Sequence, residues 1–397
     1  MYYRIQNGTL FEDFENINDW TLSGAGASIT ADTTNFKTGS QGIKVTSVNN
    51  VSAYITKTIN QSFNNVNSFV LWLYIDDVTK YSSSNVALLY LSSTSDFSKS
   101  MTTGNILASI NTSVGLKTGW NKIILGKGDF SALGGEVWSN TMIRLRLRTL
   151  SATDATVNVT FDSLYISEYS RPKCIISFDD GSDTVYSVAY PCMRAKGFRG
   201  VTFCPMSPDR LGTTGVMSLD NLRELYNYGW DISGHSYTHV DLTSVSLEQA
   251  RTELQNEISA LLANGFTRAA YDMAWPFSAL NSDLLALCRQ LGFRTCRTGN
   301  DRVQCHTYND PLQLARYEIT TSRTLTDYKT QIQSAIASGC LIYLNLHIIR
   351  TPTSQSTDMT IADFQALINY LASIKEQIDV VTLSEWYNGL ISPRKLV

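Results

Sequence analysis

The spacing of apolar and polar positions changes character part-way along the chain. Up to residue 168 it alternates with period two, most plainly at Ile143, Arg144, Leu145, Arg146, Leu147 and Arg148 and again at Val157, Asn158, Val159, Thr160 and Phe161. One apolar and one polar face per run marks a half-buried strand. Residues 70–75 and 86–91 are more continuously apolar, as strands covered on both faces are. Clusters of Gly, Asn and Ser between the runs supply turns, and no helical stripe of useful length intervenes. The pattern predicts an all-β sandwich of jelly-roll type over residues 1–168.

Over residues 169–397 the period becomes helical. Ser246 and Gln249 form a capping-box pattern ahead of Leu247, Ala250, Leu254, Ile258, Leu261 and Leu262, and similar stripes run through 219–226 and 284–291. Gly197, Gly229, Gly265, Gly292 and Gly339 each stand where a left-handed helix cap belongs, with a short apolar run soon after. Strands are predicted at 174–178, 201–204, 231–234, 271–274, 293–295, 314–319, 341–346 and 380–382. Eight parallel strands alternating with helices predict a distorted α/β barrel, although an open doubly wound sheet has the same local grammar. Residues 168–172 read as the linker between the two domains.

Composition narrows the partners. With 397 residues, two domains are the default and each can bury its own core. A formal net charge of -3 with 17% charged residues offers no basic field for a phosphate backbone, so nucleic acid is not an expected partner. A surface of Ser, Thr, Asn and Tyr suits neutral, hydroxyl-rich ligands. Seven scattered cysteines, all in the second domain and without a CxxC pair, read as buried free thiols. The start of the chain lacks the make-up of a signal peptide, and no run approaches the roughly 20 apolar residues of a membrane span. The expectation is therefore no membrane insertion, and an extracellular or virion-associated place reached by lysis or assembly, with the cytoplasm as the other choice.

The chemistry sits at predicted strand ends, which in a parallel βα architecture converge on one face. The first strand ends on Asp179 and Asp180, the third on His235 and His239, and the seventh on His347; three of the four histidines in the chain lie at such ends. Two imidazoles and one carboxylate make three protein ligands and leave room for water on a metal ion, the arrangement of a hydrolytic site. Neighbouring side chains diverge, so one of the two aspartates can bind the ion while the other takes a proton from water. His347, across the barrel, is placed to return a proton to a leaving group. Taken singly these strings are bland, an Asp-Asp-Gly turn and a solvated loop; their order on one βα frame makes the metal-site reading. His306, in a polar stretch, fits none of this and reads as a loop residue.

These residues resemble the polysaccharide deacetylases, carbohydrate esterase family four. The family's TFDDG is matched by 177–181, its HSxxH by 235–239, and its apolar strand ending in Leu-x-His or Leu-His by 344–347. The resemblance implies a polysaccharide substrate carrying N-acetyl or O-acetyl groups, such as a bacterial envelope glycan. It implies Asp179 as general base, Asp180, His235 and His239 as ligands of a divalent metal, and His347 as general acid. Zn2+ is expected, with Co2+, Ni2+ or Mn2+ able to replace it. One motif departs: where the family has Arg-Pro-Pro-Tyr-Gly this chain has Ala274, Trp275, Pro276, Phe277 and Ser278. The Phe277 N–H can still serve as oxyanion donor and Trp275 can line a sugar subsite, but the arginine that orients the base is gone. Arg316 is the first candidate to replace it, with Arg297 behind it. A barrel that lost catalysis and serves a phage tail or cell surface as a glycan-binding or structural part is the alternative.

In the first domain, FEDFENINDW, GSQGIKVTS and FDSLYIS resemble strands of carbohydrate-binding jelly-roll modules, which implies a glycan-binding or attachment role. Glu15 with Asp162 resembles the structural Ca2+ site of such modules. Trp20, Trp72, Trp120 and Trp138 are expected in the core rather than on a ligand platform.

Overall fold

The structure, a computed structural model, describes residues 8–82, 88–103, 116–168, 171–301, 303 and 310–391. Cys305, His306 and part of the 168–172 linker lie outside the described residues. The chain divides into two compact units, Gln6–Tyr169 and Ser170–Val397.

The first unit is a sandwich of two antiparallel sheets. One contains β1 (Thr9–Glu12), β3 (Ser28–Asp32), β4 (Gly42–Val48), β6 (Val66–Ile75), β9 (Gly119–Gly126) and β12 (Thr156–Glu168), in the order β3-β4-β12-β6-β9 with β1 also on β12. The other contains β2 (Trp20–Ser23), β5 (Ser52–Ser62), β7 (Leu89–Ser92), β8 (Ser100–Thr103), β10 (Phe130–Leu133) and β11 (Thr141–Leu150), in the order β10-β8-β7-β11-β5-β2. The period-two alternation is used as written: Leu145 and Leu147 from one sheet meet Val159 and Phe161 from the other in one buried core. Each such side chain contributes roughly 1.5–3 kcal/mol by leaving water. Trp20 is in that core and Trp138 packs against it. Trp72 and Trp120 depart from expectation: they are half-buried outside the core, with the Lys37 ammonium 4.8 Å from each ring. Their strand positions alternate with the inward Leu71, Leu73 and Asn121, so the pleat turns them outward. Glu15 and Asp162, expected to hold calcium, face one loop instead. Glu15 Oε1 accepts from Ser40 N at 2.9 Å, and Asp162 Oδ2 from the amides of Lys37 and Thr38, so N–H groups already engage one oxygen of each carboxylate.

The second unit is a closed ring of seven parallel strands: β13 (Lys173–Phe178), β14 (Val201–Phe203), β15 (Asp231–Gly234), β16 (Ala269–Ala274), β17 (Thr295–Asp301), β18 (Leu314–Glu318) and β19 (Leu341–Leu346), with β13 pairing both β14 and β19. The eighth predicted strand is the two-residue β20 (Asp379–Val380), outside the ring. Its place follows from the shortness of β14, which pairs only with Ser177 and Phe178 of β13 and leaves that edge open at Lys173 and Cys174, where β20 docks. Around the ring lie α1 (Tyr190–Arg194), α2 (Leu219–Asn227), α3 (Leu247–Ala263), α4 (Ser282–Leu291), α5 (Leu325–Ser338), α6 (Ile361–Ser373) and α7 (Leu383–Ile391). The predicted capping box opens α3, where Ser246 Oγ accepts from Gln249 N at 3.2 Å and Gln249 Oε1 accepts from Ser246 N at 3.0 Å. Gly292 and Gly339 end α4 and α5 at φ of +84° and +62°, a conformation that penalises any Cβ. Among the described residues six cysteines are free, and all but Cys192 are buried. No described helix is long and apolar enough to cross a membrane.

Pleating sets the site's polarity. On β13, Cys174, Ile176 and Phe178 join the outer core under the helices, while Ile175 belongs to the core inside the barrel. On β19, Ile342, Leu344 and Leu346 are outer, and Leu341 and Tyr343 inner. Continuing each alternation puts Ser177 with Asp179, and Asn345 with His347, on the inner face at the carboxyl ends.

Candidate functional site

Asp179 extends β13 by one step, its N–H donating to Leu346 O at 2.9 Å. Its carboxylate is buried. Oδ2 accepts from Arg297 Nη2 at 2.5 Å and from Asn345 Nδ2 at 3.3 Å, and Ser177 Oγ, 3.0 Å from Asn345 Oδ1, holds that amide in orientation. Oδ1 is buried with no hydrogen-bond partner among the described residues. Burial alone would raise the pKa of Asp179, but Arg297, with His235 and His347, outweighs it and holds the group below the usual carboxylate value. His347 Nε2 stands 3.7 Å from Asp179 Oδ2.

The chain then turns sharply. Asp180 takes a left-handed φ of +67°, followed by Gly181 at +71°, where a Cβ would sit 2.4 Å from Cys204 Sγ. Strain of this kind in a non-glycine residue is found at built sites. The turn sends the Asp180 carboxylate away from Asp179 and onto two imidazoles, with Oδ1 3.0 Å from His239 Nε2 and 3.4 Å from His235 Nε2. Burial opposes its charge, and the hydrogen bonds from both histidines more than compensate, so its pKa lies far below the ordinary range.

The histidines are placed by α3. Glu257, buried in the helix, accepts from His235 N at 3.2 Å and from Met206 N at 3.1 Å, and Glu253, one turn earlier, accepts from Thr238 N at 2.9 Å. Gly234 lets the helix this close, since a Cβ there would meet Glu257 Cγ at 3.0 Å. His235 Nδ1 lies 2.9 Å from Ala274 O; the ring therefore donates its proton to that carbonyl and keeps Nε2 as the ligating nitrogen. Asp180, His235 and His239 form the one three-residue cluster among the described residues able to hold a metal ion. The fit is good: ligands about 2.0–2.1 Å from a tetrahedral zinc ion stand roughly 3.3 Å apart, close to the separations from Asp180.

Two expectations are corrected. Arg316 does not reach Asp179; its guanidinium pairs with Glu318 on its own strand. Arg297 takes that place, because it lies in register beside Ala274 on the adjacent strand, with its guanidinium over the Phe203 ring at 5.5 Å. Trp275 lines no open subsite: it is 1% exposed in the core, its indole N–H donating to Leu312 O at 3.0 Å. Phe277 is the exposed aromatic instead, 65% accessible at a φ of +55°, with its ring 4.9 Å from that of His239. Asn345, Glu257 and Glu253 are contacts that sequence reading missed; the one local signal was Asn345, a polar residue inside the apolar run 341–346.

A closed (β/α) barrel with a cation-competent Asp-His-His set, an arginine-held carboxylate and a histidine at the carboxyl ends of its strands defines a barrel of the hydrolase class. Residues 166–296 match the polysaccharide deacetylase family, and this barrel is a polysaccharide deacetylase domain. His347 lies beyond the matched stretch. The chain is 24% identical over 135 residues to the Bacillus subtilis protein YxkH, whose name places it among polysaccharide deacetylases, a match covering 33% of this chain and 47% of that protein. It is 20% identical over 172 residues to a poly-beta-1,6-N-acetyl-D-glucosamine N-deacetylase of Staphylococcus aureus, covering 39% and 59%. The chain thus spans about half the length of the curated relatives it matches. Among solved structures it is similar to the Xyl-CE4 domain of a multidomain xylanase from the hindgut metagenome of Trinervitermes trinervoides, at 18% identity and a TM-score of 0.39 over 55% of this chain and 91% of that one.

Proposed function

We propose that the barrel removes acetyl groups by hydrolysis from a polysaccharide of a bacterial envelope; the name of one relative, a poly-beta-1,6-N-acetyl-D-glucosamine N-deacetylase, supports an N-acetylated glycan as the substrate class. The observation that carries this reading is the pairing of Arg297 with a buried Asp179 whose second oxygen has no partner among the described residues. Such a carboxylate is ionised, fixed and able to accept a proton. A divalent ion in the Asp180, His235 and His239 set, zinc suiting its nitrogen-rich donors, would polarise the acetyl carbonyl and acidify the attacking water.

The chain's own groups do the rest. Asp179 removes the proton of the attacking water through Oδ1 while Arg297 and Asn345 hold Oδ2. The Phe277 N–H donates to the carbonyl oxygen as negative charge develops on it, a contribution that typically amounts to about 3–4 kcal/mol. His347 delivers a proton to the leaving nitrogen or oxygen as its bond to the acetyl carbon breaks. Acetate and a free amine or hydroxyl are the products. The loss of catalysis suggested by Ala274 is not favoured, because Arg297 supplies the guanidinium that Ala274 lacks. The test is acetate release from N-acetylated and O-acetylated glycans by the native chain and by Asp179→Asn. Turnover by the native chain that disappears in the variant supports the reading, and equal turnover in both refutes it.

A further inference from the structure

The outer face of the second sandwich sheet carries an arrangement that the barrel chemistry does not use. Arg144, Arg146 and Arg148 alternate along β11 and, by the pleat, stand on one face about 6.5–7 Å apart. No Asp or Glu occupies an outward position in any of the six strands of that sheet, and none of the three arginines forms an ion pair among the described residues. Their cross-strand partners are hydroxyls instead: Thr58 Oγ1 accepts from Arg144 Nη1 at 2.9 Å, Thr56 Oγ1 from Arg146 Nε at 3.0 Å, and Ser52 Oγ from Arg148 Nε at 2.9 Å.

Aromatic rings flank the guanidiniums of Arg146 and Arg148. Arg146 lies 3.6 Å from the Phe97 ring centroid and 5.2 Å from that of Tyr54; Arg148 lies 5.6 Å from Tyr54. Phe97 belongs to a loop pinned by the buried Glu136, which accepts from Ser93 N at 2.9 Å and from Ser93 Oγ at 3.0 Å. Three like charges in a row repel one another, and fixing them with the Nε of Arg146 and Arg148 already engaged leaves planar Nη pairs suited to bidentate oxyanions.

We propose that this face binds an acidic polysaccharide, one bearing uronate carboxylates, along the arginine row. Charge complementarity calls for an anionic ligand, and the intervening Ser, Thr and Tyr hydroxyls match sugar hydroxyls in a way that a phosphate backbone does not require. The site is separate from the barrel and does not depend on deacetylation.

Isothermal titration of the full chain with polygalacturonate, which carries no acetyl groups, tests this apart from any reading of the enzyme. Binding should weaken at least tenfold when the carboxylates are methyl-esterified, and should weaken as salt is raised. Arg146→Gln with Arg148→Gln should lower affinity at least tenfold while the circular-dichroism melt stays unchanged; a tenfold loss from Tyr54→Ala would provide the same support should the arginine pair fail to fold. Equal binding of the esterified polymer, unaltered affinity in folded variants, or equally tight binding of duplex DNA or polyphosphate would each overturn the proposal.

Discussion

Ala274 and Arg297 are in-register neighbours on adjacent strands, and Arg297 reaches Asp179 from beside the position where the family's motif carries its arginine. Removing it leaves Asp179 buried without its cation, a change that typically costs about 3–5 kcal/mol. Arg297→Ala should lower kcat for acetate release by roughly a hundredfold or more, whereas Arg316→Ala, which breaks only the contact with Glu318, should keep most of the rate. Ala274→Arg added to Arg297→Ala should restore part of the loss, since the new side chain enters the space that the old one vacates. Equal losses from Arg297→Ala and Arg316→Ala would sink this assignment.

The alternation of strands and helices, the caps at Ser246 and Gly292, and the gathering of the Asp-Asp and His-x-x-x-His strings were legible because each depends on spacing within one segment. The choice between Arg297 and Arg316 was not. Both lie on inward-facing strands, and only the register of β16 against β17 decides which guanidinium meets Asp179. Trp275 and Phe277 illustrate the same limit. Two residues apart on one short turn, they exchange the expected roles because the left-handed φ of Phe277 turns its ring out while Trp275 finds Leu312 O inside.

The cluster of Asp180, His235 and His239 predicts that the reaction depends on a metal ion. Dialysis against a strong chelator should abolish acetate release, and Zn2+ should restore it. His239→Ala should reduce the metal bound per chain, measured by plasma emission spectrometry, while leaving the melting of the sandwich unchanged. Full activity in chelated, metal-free protein would rule the ion out of the reaction.

Asp179 should remain ionised well into acid, because its pKa is depressed below the ordinary 3.8. A depressed carboxylate retains its charge above its unfolded value and loses it only as pH falls through the folded one. Asp179 should therefore cause no loss of kcat/KM between pH 7 and about 5. Asp179→Asn should cut the rate at every pH in that window by roughly a thousandfold while metal content stays constant. A variant that differs from the native chain only at the acidic end would contradict the role.

In the sandwich, Asp32 gives a stability test independent of the active site. It is buried, and its oxygens accept from Thr34 N, Asn35 N, Asn35 Nδ2 and Thr160 Oγ1. Burial disfavours its charge, but the bonds from Thr160, Asn35 and Thr34 outweigh that and hold its pKa at about 2, below the ordinary 3.8. The contribution is thus complete above about pH 4 and fades as pH falls toward 2. Asp32→Ala should destabilise the unit by roughly 1–3 kcal/mol at pH 7 in urea unfolding. A gap between variant and native chain that stays constant down to pH 2 would show that the charge is not what matters.

Glu257 joins the barrel wall to the cluster, and its effect should appear in metal binding before it appears in the fold. Its two oxygens hold the amides of His235 and Met206, it forms no ion pair among the described residues, and burial raises its pKa. Glu257→Ala would leave both buried amides without acceptors, at roughly 1–3 kcal/mol each, and would free the His235 backbone on which the Nε2 direction depends. Loss of a supporting contact of this kind typically weakens metal affinity by about 10–100-fold. The expectation is a rise of that size in the zinc dissociation constant, measured by competition with a chromogenic chelator. Excess Zn2+ should recover most of kcat, because Asp179, Arg297 and His347 are untouched. If affinity holds and kcat stays low at saturating Zn2+, Glu257 acts on the reaction by some route other than placing His235.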